Sequence, residues 1–178
     1  VWLAVAKALS ELSSKLSASS MLAIGLSGAM HSLIMLDEHG EALAPAMTWA
    51  DQRAAGITRI LREQADPLAL YRRTGCPLQA TYHVAKARWC VEQSGQHFAR
   101  LVSIKEYILH KLTGVLAIDF GLASTTGLLD IHRREWDAEA LSLAGITEAQ
   151  LSPLISSHAV AGNITQEAAR LTGLPVGL

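Results

Sequence analysis

Strand signals interleaved with helical periodicity predict an α/β or α+β fold for this chain of 178 residues. Apolar residues recur at three- and four-residue steps in several stretches, which marks amphipathic helices. Short apolar runs bounded by turn residues lie between them, which marks strands. Half the residues are apolar, and a chain of this length can bury one core.

Taken in order, Trp2, Val5, Ala6, Leu9, Leu12 and Leu16 predict a helix over residues 2–17. Ser17–Ser20 is a polar break, and the apolar run Met21–Leu26 reads as a first strand ending in Ser27, Gly28 and Ala29. Met30 and His31 then sit on a tight turn. Leu33–Leu36 is a second apolar run, Asp37-Glu38-His39-Gly40 is turn chemistry, and Glu41–Trp49 reads as the returning strand of a hairpin. A helix follows from near Asp51 to Gln64, with Ile57, Ile60 and Leu61 inward. Asp66-Pro67 opens the next helix, since Asp accepts from free amides and Pro fits the first turn; Gly75 ends it after Thr74.

Cys76–His83 is an irregular connection, and Val84–Gln93 is helical up to Gly95. Leu101–Ile104 reads as a short strand, Lys105–Leu112 as a helix closed by Gly114, and Val115–Ile118 as extended. Asp119 caps a short helix ending at Gly127, and Leu128–Ile131 is a further strand. Asp137–Leu143, Thr147–Leu151 and Thr165–Leu171 make the second half mostly helical. No internal repeat or long linker interrupts the series.

A net charge of -1 gives no electrostatic reason to expect nucleic acid or an anionic membrane as partner. No apolar run approaches the roughly 18 residues of a membrane span. Lys7, Glu11 and Lys15 along the first helix rule out a signal peptide there. Cys76 and Cys90 lack metal spacing and read as reduced thiols, so the expected compartment is the cytoplasm. His97, His110, His132 and His158 are isolated, and no metal site is expected.

Candidate chemistry concentrates in Ile24–Arg53. A thioether, an imidazole, a carboxylate, a guanidinium and an apolar face in one stretch suit a small polyhydroxylated ligand. The same residues also have ordinary readings: His31 as a hydrogen-bonded turn histidine, Met30 and Trp49 as core, Asp51 as a cap and Arg53 as a solvated charge. Asp119-Phe120-Gly121 matches the magnesium-binding triplet of protein kinases, but no His-Arg-Asp or glycine-rich loop accompanies it, and capping explains it better. Ser124-Thr125-Thr126 reads as structural hydroxyls.

The strings Ser27–Ser32 (SGAMHS), Leu36-Asp37 and Thr48–Arg53 (TWADQR) resemble the FGGY carbohydrate kinases, and the gluconokinase branch in particular. The resemblance continues through Tyr71–Pro77, Lys86–Trp89, Lys105–Gly114 and Ala123–Asp130, and departs at Gln79-Ala80, where gluconokinases show His-Pro. It implies the actin-like ATPase, ribonuclease H-like α/β fold, incomplete, with residues 1–178 forming one partial domain. It further implies an ATP-dependent kinase acting on a sugar or sugar acid, D-gluconate first and a pentulose as the xylulokinase-type alternative. A non-catalytic carbohydrate-binding module is the alternative from another class.

On this resemblance Met30, His31, Trp49, Asp51, Arg53 and Thr81 are the substrate-binding residues, with Arg53 suited to an acid's carboxylate. Lys86 is expected to be structural or solvent-facing. ATP and Mg2+ are implied for the full-length protein. The phosphate-binding hairpin, the second domain and the Asp that accepts the hydroxyl proton have no counterpart in these residues. No catalytic residue is therefore assigned, and the chain alone is expected to be inactive and to hold neither nucleotide nor metal. An uncovered sheet edge is expected to drive self-association.

Overall fold

Local capping chemistry sets most helix boundaries in the computed structural model, which describes residues 1–178. Asp66 Oδ1 accepts from the Leu68 and Ala69 amides at the start of α3 (Pro67–Thr74), and Gly75 ends it with φ 70°. Ser103 and Glu106 form a reciprocal capping box on α5 (Ile104–Thr113). Asp119, Asp137 and Thr165 accept first-turn amides of α6 (Phe120–Ala123), α7 (Ala138–Ala144) and α8 (Gln166–Thr172). The remaining helices are α1 (Trp2–Ser13), α2 (Ala55–Gln64) and α4 (His83–Gln93).

Six short strands form three two-stranded sheets. Antiparallel β1 (Ile34–Leu36) and β2 (Arg100–Val102) pair Met35 with Leu101. β3 (Ile118–Asp119) runs parallel to β6 (Leu154–Ile155), and β4 (Leu129–Asp130) antiparallel to β5 (Glu135–Trp136). The main core is a cluster of 24 buried residues, among them Leu33, Met47, Leu61, Leu70, Val84 and Leu129. Helix α4 lies at its centre and packs against both α2 and α7. Helix α1 instead packs on α8, its Trp2 and Leu9 covering the satellite cluster of Leu112, Ile164, Ala168 and Leu174.

Several elements depart from the sequence reading. Met21–Leu26 is not a strand: the backbone of Leu22–Gly28 makes no backbone–backbone hydrogen bond, and Leu22 is 90% exposed. A strand exists only as a paired ladder, and no segment lies beside this one to complete it. The strand returning over 41–49 is reduced to bridges at Ala42 and Met47, because Pro45 cannot donate to the ladder. Helix α1 stops at Ser13, where that residue's hydroxyl reaches the Thr172 carbonyl at 2.7 Å. Helix α2 begins at Ala55 rather than Asp51. Its inward face carries Ile57, Thr58 and Leu61, and leaves Ile60 half exposed. Thr58 takes that inward place because its hydroxyl is satisfied by the Ala54 carbonyl.

Gly40 closes the turn after β1 with φ 79°, and a Cβ there would lie 2.3 Å from His110 Nε2. Gly56, by contrast, faces open space. Gly40→Ala should therefore cost about 1 kcal/mol or more, and Gly56→Ala should stabilise by about 0.5 kcal/mol, as read from denaturant midpoints.

Candidate substrate site

Helix α4 gathers the site. Lys86 Nζ donates to the carbonyl of His31 at 2.5 Å and to that of Thr48 at 2.7 Å, fastening two separate loops to one helix. His83 Nε2 meets the Ser32 carbonyl at 2.9 Å, and the Ser32 hydroxyl accepts the Ile104 amide at 3.0 Å. The turn carrying Met30 and His31 is thus held by α4 on one side and by the first amide of α5 on the other. Held this way, His31 adopts φ 63°, a left-handed conformation uncommon for a residue with a Cβ. Gly28 lets the approach to that turn pass close to α5, since a Cβ there would sit 2.7 Å from Lys105 Cβ.

The His31 ring stands edge-on to Tyr82, with centroids 4.8 Å apart. Its Nδ1 is buried with no hydrogen-bond partner. Burial and the Lys86 charge lower the His31 pKa, against an opposing pull from the Thr125 backbone, so the ring is neutral at pH 7. Met30, the residue before it, is 52% exposed, and Trp49, on the loop that Lys86 holds through Thr48, is 66% exposed. The Thr81 hydroxyl reaches the Trp49 carbonyl at 3.5 Å, a weak contact.

Asp51 and Arg53 form a fork. Arg53 Nε lies 3.0 Å from both Asp51 oxygens and Nη2 lies 2.6 Å from Oδ2, while the Arg53 amide caps Oδ1. The guanidinium carbon lies 4.7 Å above the Trp89 ring of α4. The hydrogen bonds to Arg53 hold the Asp51 carboxyl below its ordinary range, so it is ionised. Arg53 is therefore already paired, which corrects the reading of Asp51 as a helix cap and of Arg53 as a free charge; its Nη1 keeps no protein partner.

The six residues singled out in the sequence lie on the turn, the Thr48–Arg53 loop and the entry to α4. Lys86, His83, Tyr82 and Trp89 were not singled out as site residues. Lys86 has no exposed surface, so its solvent-facing reading fails and its structural one holds. The signal was present: Lys86 stands between buried Val84, Ala85, Ala87 and Cys90, leaving it no solvent face. A cavity of about 680 Å³ lies elsewhere. It is lined mainly by apolar residues such as Leu109, Leu112, Ile118 and Ile155 against the unpaired 21–26 segment, and contains none of the six. At its edge Asp119 is bound by Lys105 Nζ at 2.6 Å and by the Ser157 hydroxyl.

Residues 1–178 match the FGGY family of carbohydrate kinases, N-terminal domain, and the chain belongs to that family. It is 34% identical over 154 residues to a gluconokinase of Bacillus licheniformis, covering 85% of this chain and 30% of that protein. It is also 34% identical over 170 residues to a probable L-xylulose kinase of Pasteurella multocida, covering 92% and 35%. Among solved structures, gluconate kinase from Lactobacillus acidophilus superposes with a TM-score of 0.89 at 30% identity, covering 97% of this chain and 36% of that one. Xylulose kinase from Rhodospirillum rubrum gives 0.91 at 31%, covering 99% and 38%. The chain thus spans about a third of the length of these relatives, and its fold is the α/β sugar-kinase fold implied by the sequence.

Burial pushes the His83 pKa down to about 3, with the Lys86 and His31 charges adding and the Ser32 contact opposing. The folded value lies below the unfolded one. As pH falls from about 6.5 toward about 3, the unfolded chain takes a proton that the folded chain refuses, and stability is lost. We expect a loss on the order of a few kcal/mol over this window, measured by urea unfolding, and a flatter profile in His83→Gln.

Proposed function

We propose that the turn at Met30-His31, the Thr48–Arg53 loop and Thr81 form the sugar-binding side of an ATP-dependent carbohydrate kinase. D-gluconate is the favoured substrate. The observation that carries this reading is the fastening of two loops onto α4 by Lys86, which sets a neutral imidazole and a paired carboxylate–guanidinium beside exposed Met30 and Trp49.

Each group has work suited to a polyol. The neutral His31 ring can present Nε2 to a hydroxyl, as donor or acceptor according to its tautomer, since Nδ1 is buried. Ionised Asp51 accepts hydrogen bonds from hydroxyls, Trp49 covers the apolar C–H face, and Thr81 adds a hydroxyl at the rim. Arg53 Nη1 is the donor left for a substrate carboxylate, and any such ligand shares the guanidinium with Asp51. The gluconokinase and gluconate kinase relatives favour the acid; the xylulose kinase of Rhodospirillum rubrum, at a TM-score of 0.91, favours the pentulose as second reading.

These residues do not fit a nucleotide–metal site. No three His, Cys, Asp or Glu side chains gather to hold a metal ion, and the Asp119 carboxylate is occupied by Lys105, Ser157 and the Leu122 amide. On this reading ATP, Mg2+ and the base that takes the hydroxyl proton belong to other parts of the full-length protein, and residues 1–178 are one partial, inactive domain of it. No helix is long and apolar enough to cross a membrane. A cytoplasmic location suits the two unpaired cysteines. Self-association through the unpaired Leu22–Gly28 edge belongs to the same reading, and a monomer by light scattering would sink that part.

Calorimetric titration with D-gluconate and then D-xylulose, without nucleotide, is the direct test. His31→Ala should weaken binding about tenfold, and Arg53→Ala should weaken gluconate more than xylulose. Gluconate binding indifferent to both substitutions would refute the site.

A further inference from the structure

The bonds that assemble the site converge on one atom, Lys86 Nζ, on a residue with no exposed surface. Its two acceptors are main-chain carbonyls, not carboxylates. The carboxylate that acts on it, Asp51, is already bound by Arg53. Desolvating an ammonium is unfavourable, and a methionine of similar length would fill the space without that penalty. A cation there does what a methionine cannot: it draws together the carbonyls of His31 and Thr48. At this end of the hairpin those segments are otherwise joined only by the Leu33–Met47 bridge.

We propose that Lys86 is a positioning residue of the sugar site, its buried ammonium locking the His31 turn and the Thr48–Trp49 loop at a fixed separation. His31 and Trp49 then face one ligand together. This deepens, and rests on, the sugar-site reading of the same cluster.

The electrostatic surroundings make the device addressable by pH. The titratable groups around the site are His31 at the turn, Asp51 and Arg53 on the loop, Tyr82 at the start of α4, and His83 and Cys90 on α4. His31 is lowered from 6.5, His83 lies at about 3, and Asp51 is lowered from 3.8. Tyr82 is raised from 10, Cys90 lies at about 12, and Arg53 is raised further by its hydrogen bonds to Asp51. Lys86 alone, brought down to about 8 by burial with Arg53 adding and Asp51 opposing, changes charge between about pH 7 and about pH 9.5.

The test compares wild type with Lys86→Met, checked for folding by circular dichroism. Two readouts need no sugar: the nuclear Overhauser effect between the His31 and Tyr82 rings, and Trp49 emission in a variant retaining only that tryptophan. The third is gluconate affinity. Lys86→Met should lose the ring contact, shift the emission and bind gluconate about tenfold more weakly. In wild type the same three signals should move together as pH rises through about 8, and in Lys86→Met they should not. A folded Lys86→Met chain with both sugar-free signals unchanged overturns the proposal. Should the variant fail to fold, the same sugar-free signals are read in Lys86→Gln, whose shorter neutral amide cannot hold both carbonyls, and signals unchanged there overturn it equally. Moved signals in a chain that binds neither sugar would sink the sugar-site reading and leave the lock standing.

Discussion

Two main-chain carbonyls held on one buried ammonium set the separation of the loops on which every candidate ligand contact depends. The ammonium is in turn as fixed as the helix that carries it. Val84, Ala85, Ala87 and Cys90 of α4 are core residues, and the small alanines let α2 and α7 approach closely on either side. The Cys90 thiol touches Met47 Sδ at 3.8 Å, so the same helix also braces the returning limb of the hairpin. Precision at the loops is borrowed from the packing density of the core, which tolerates little displacement. Neither loop has a ladder of its own strong enough to supply it.

The unpaired segment Leu22–Gly28 leads directly into that well-held turn, and the contrast is informative. Upstream of Ala29 the backbone lacks partners and borders an apolar cavity. At His31 and Ser32 both carbonyls and the Ser32 hydroxyl are engaged by α4 or α5. The site geometry therefore does not rely on the 21–28 backbone forming a strand. Pairing of that edge would cover apolar surface and add rigidity upstream, while the His31 carbonyl would stay on Lys86.

What could be read from the sequence was what local chemistry decides. Asp66-Pro67 and Gly75 bound α3 because an acceptor, a ring and a left-handed glycine act within one helical turn. Gly114 closes α5 for the same reason. Strand Met21–Leu26 failed because its apolar pattern is necessary for a strand and a partner is also required, which no local window contains. Ile60 went outward because the facing of α2 was settled by its neighbours α4 and the core, and Thr58 could be buried once Ala54 accepted its hydroxyl. At the site, the types of residue were legible and their pairings were not. The resemblance implies Asp51 and Arg53 as separate ligand contacts, whereas the turn folds them into one ion pair. For Lys86 the structural reading holds and the solvent-facing one fails; its small and apolar neighbours on α4 mark the burial, whereas its partners, carbonyls contributed by two distant loops, leave no mark in the sequence.

The charge balance follows from those pairings and bears on the kind of ligand the cluster would favour. Arg53 and Asp51 cancel at close range, and both histidines are neutral at pH 7. Lys86 therefore contributes the one uncompensated charge, and because it is buried, salt screens it less than a surface lysine. A positive field issuing from beneath His31 and Thr48 stabilises an anionic group near the exposed face of Trp49 and does little for a neutral ketose. Direct pairing with Arg53 is limited by competition from Asp51, so a preference for an acid would arise more from the field of Lys86 than from a guanidinium clamp. The substitution that removes the lock would then also remove the preference, leaving gluconate and xylulose more nearly equal.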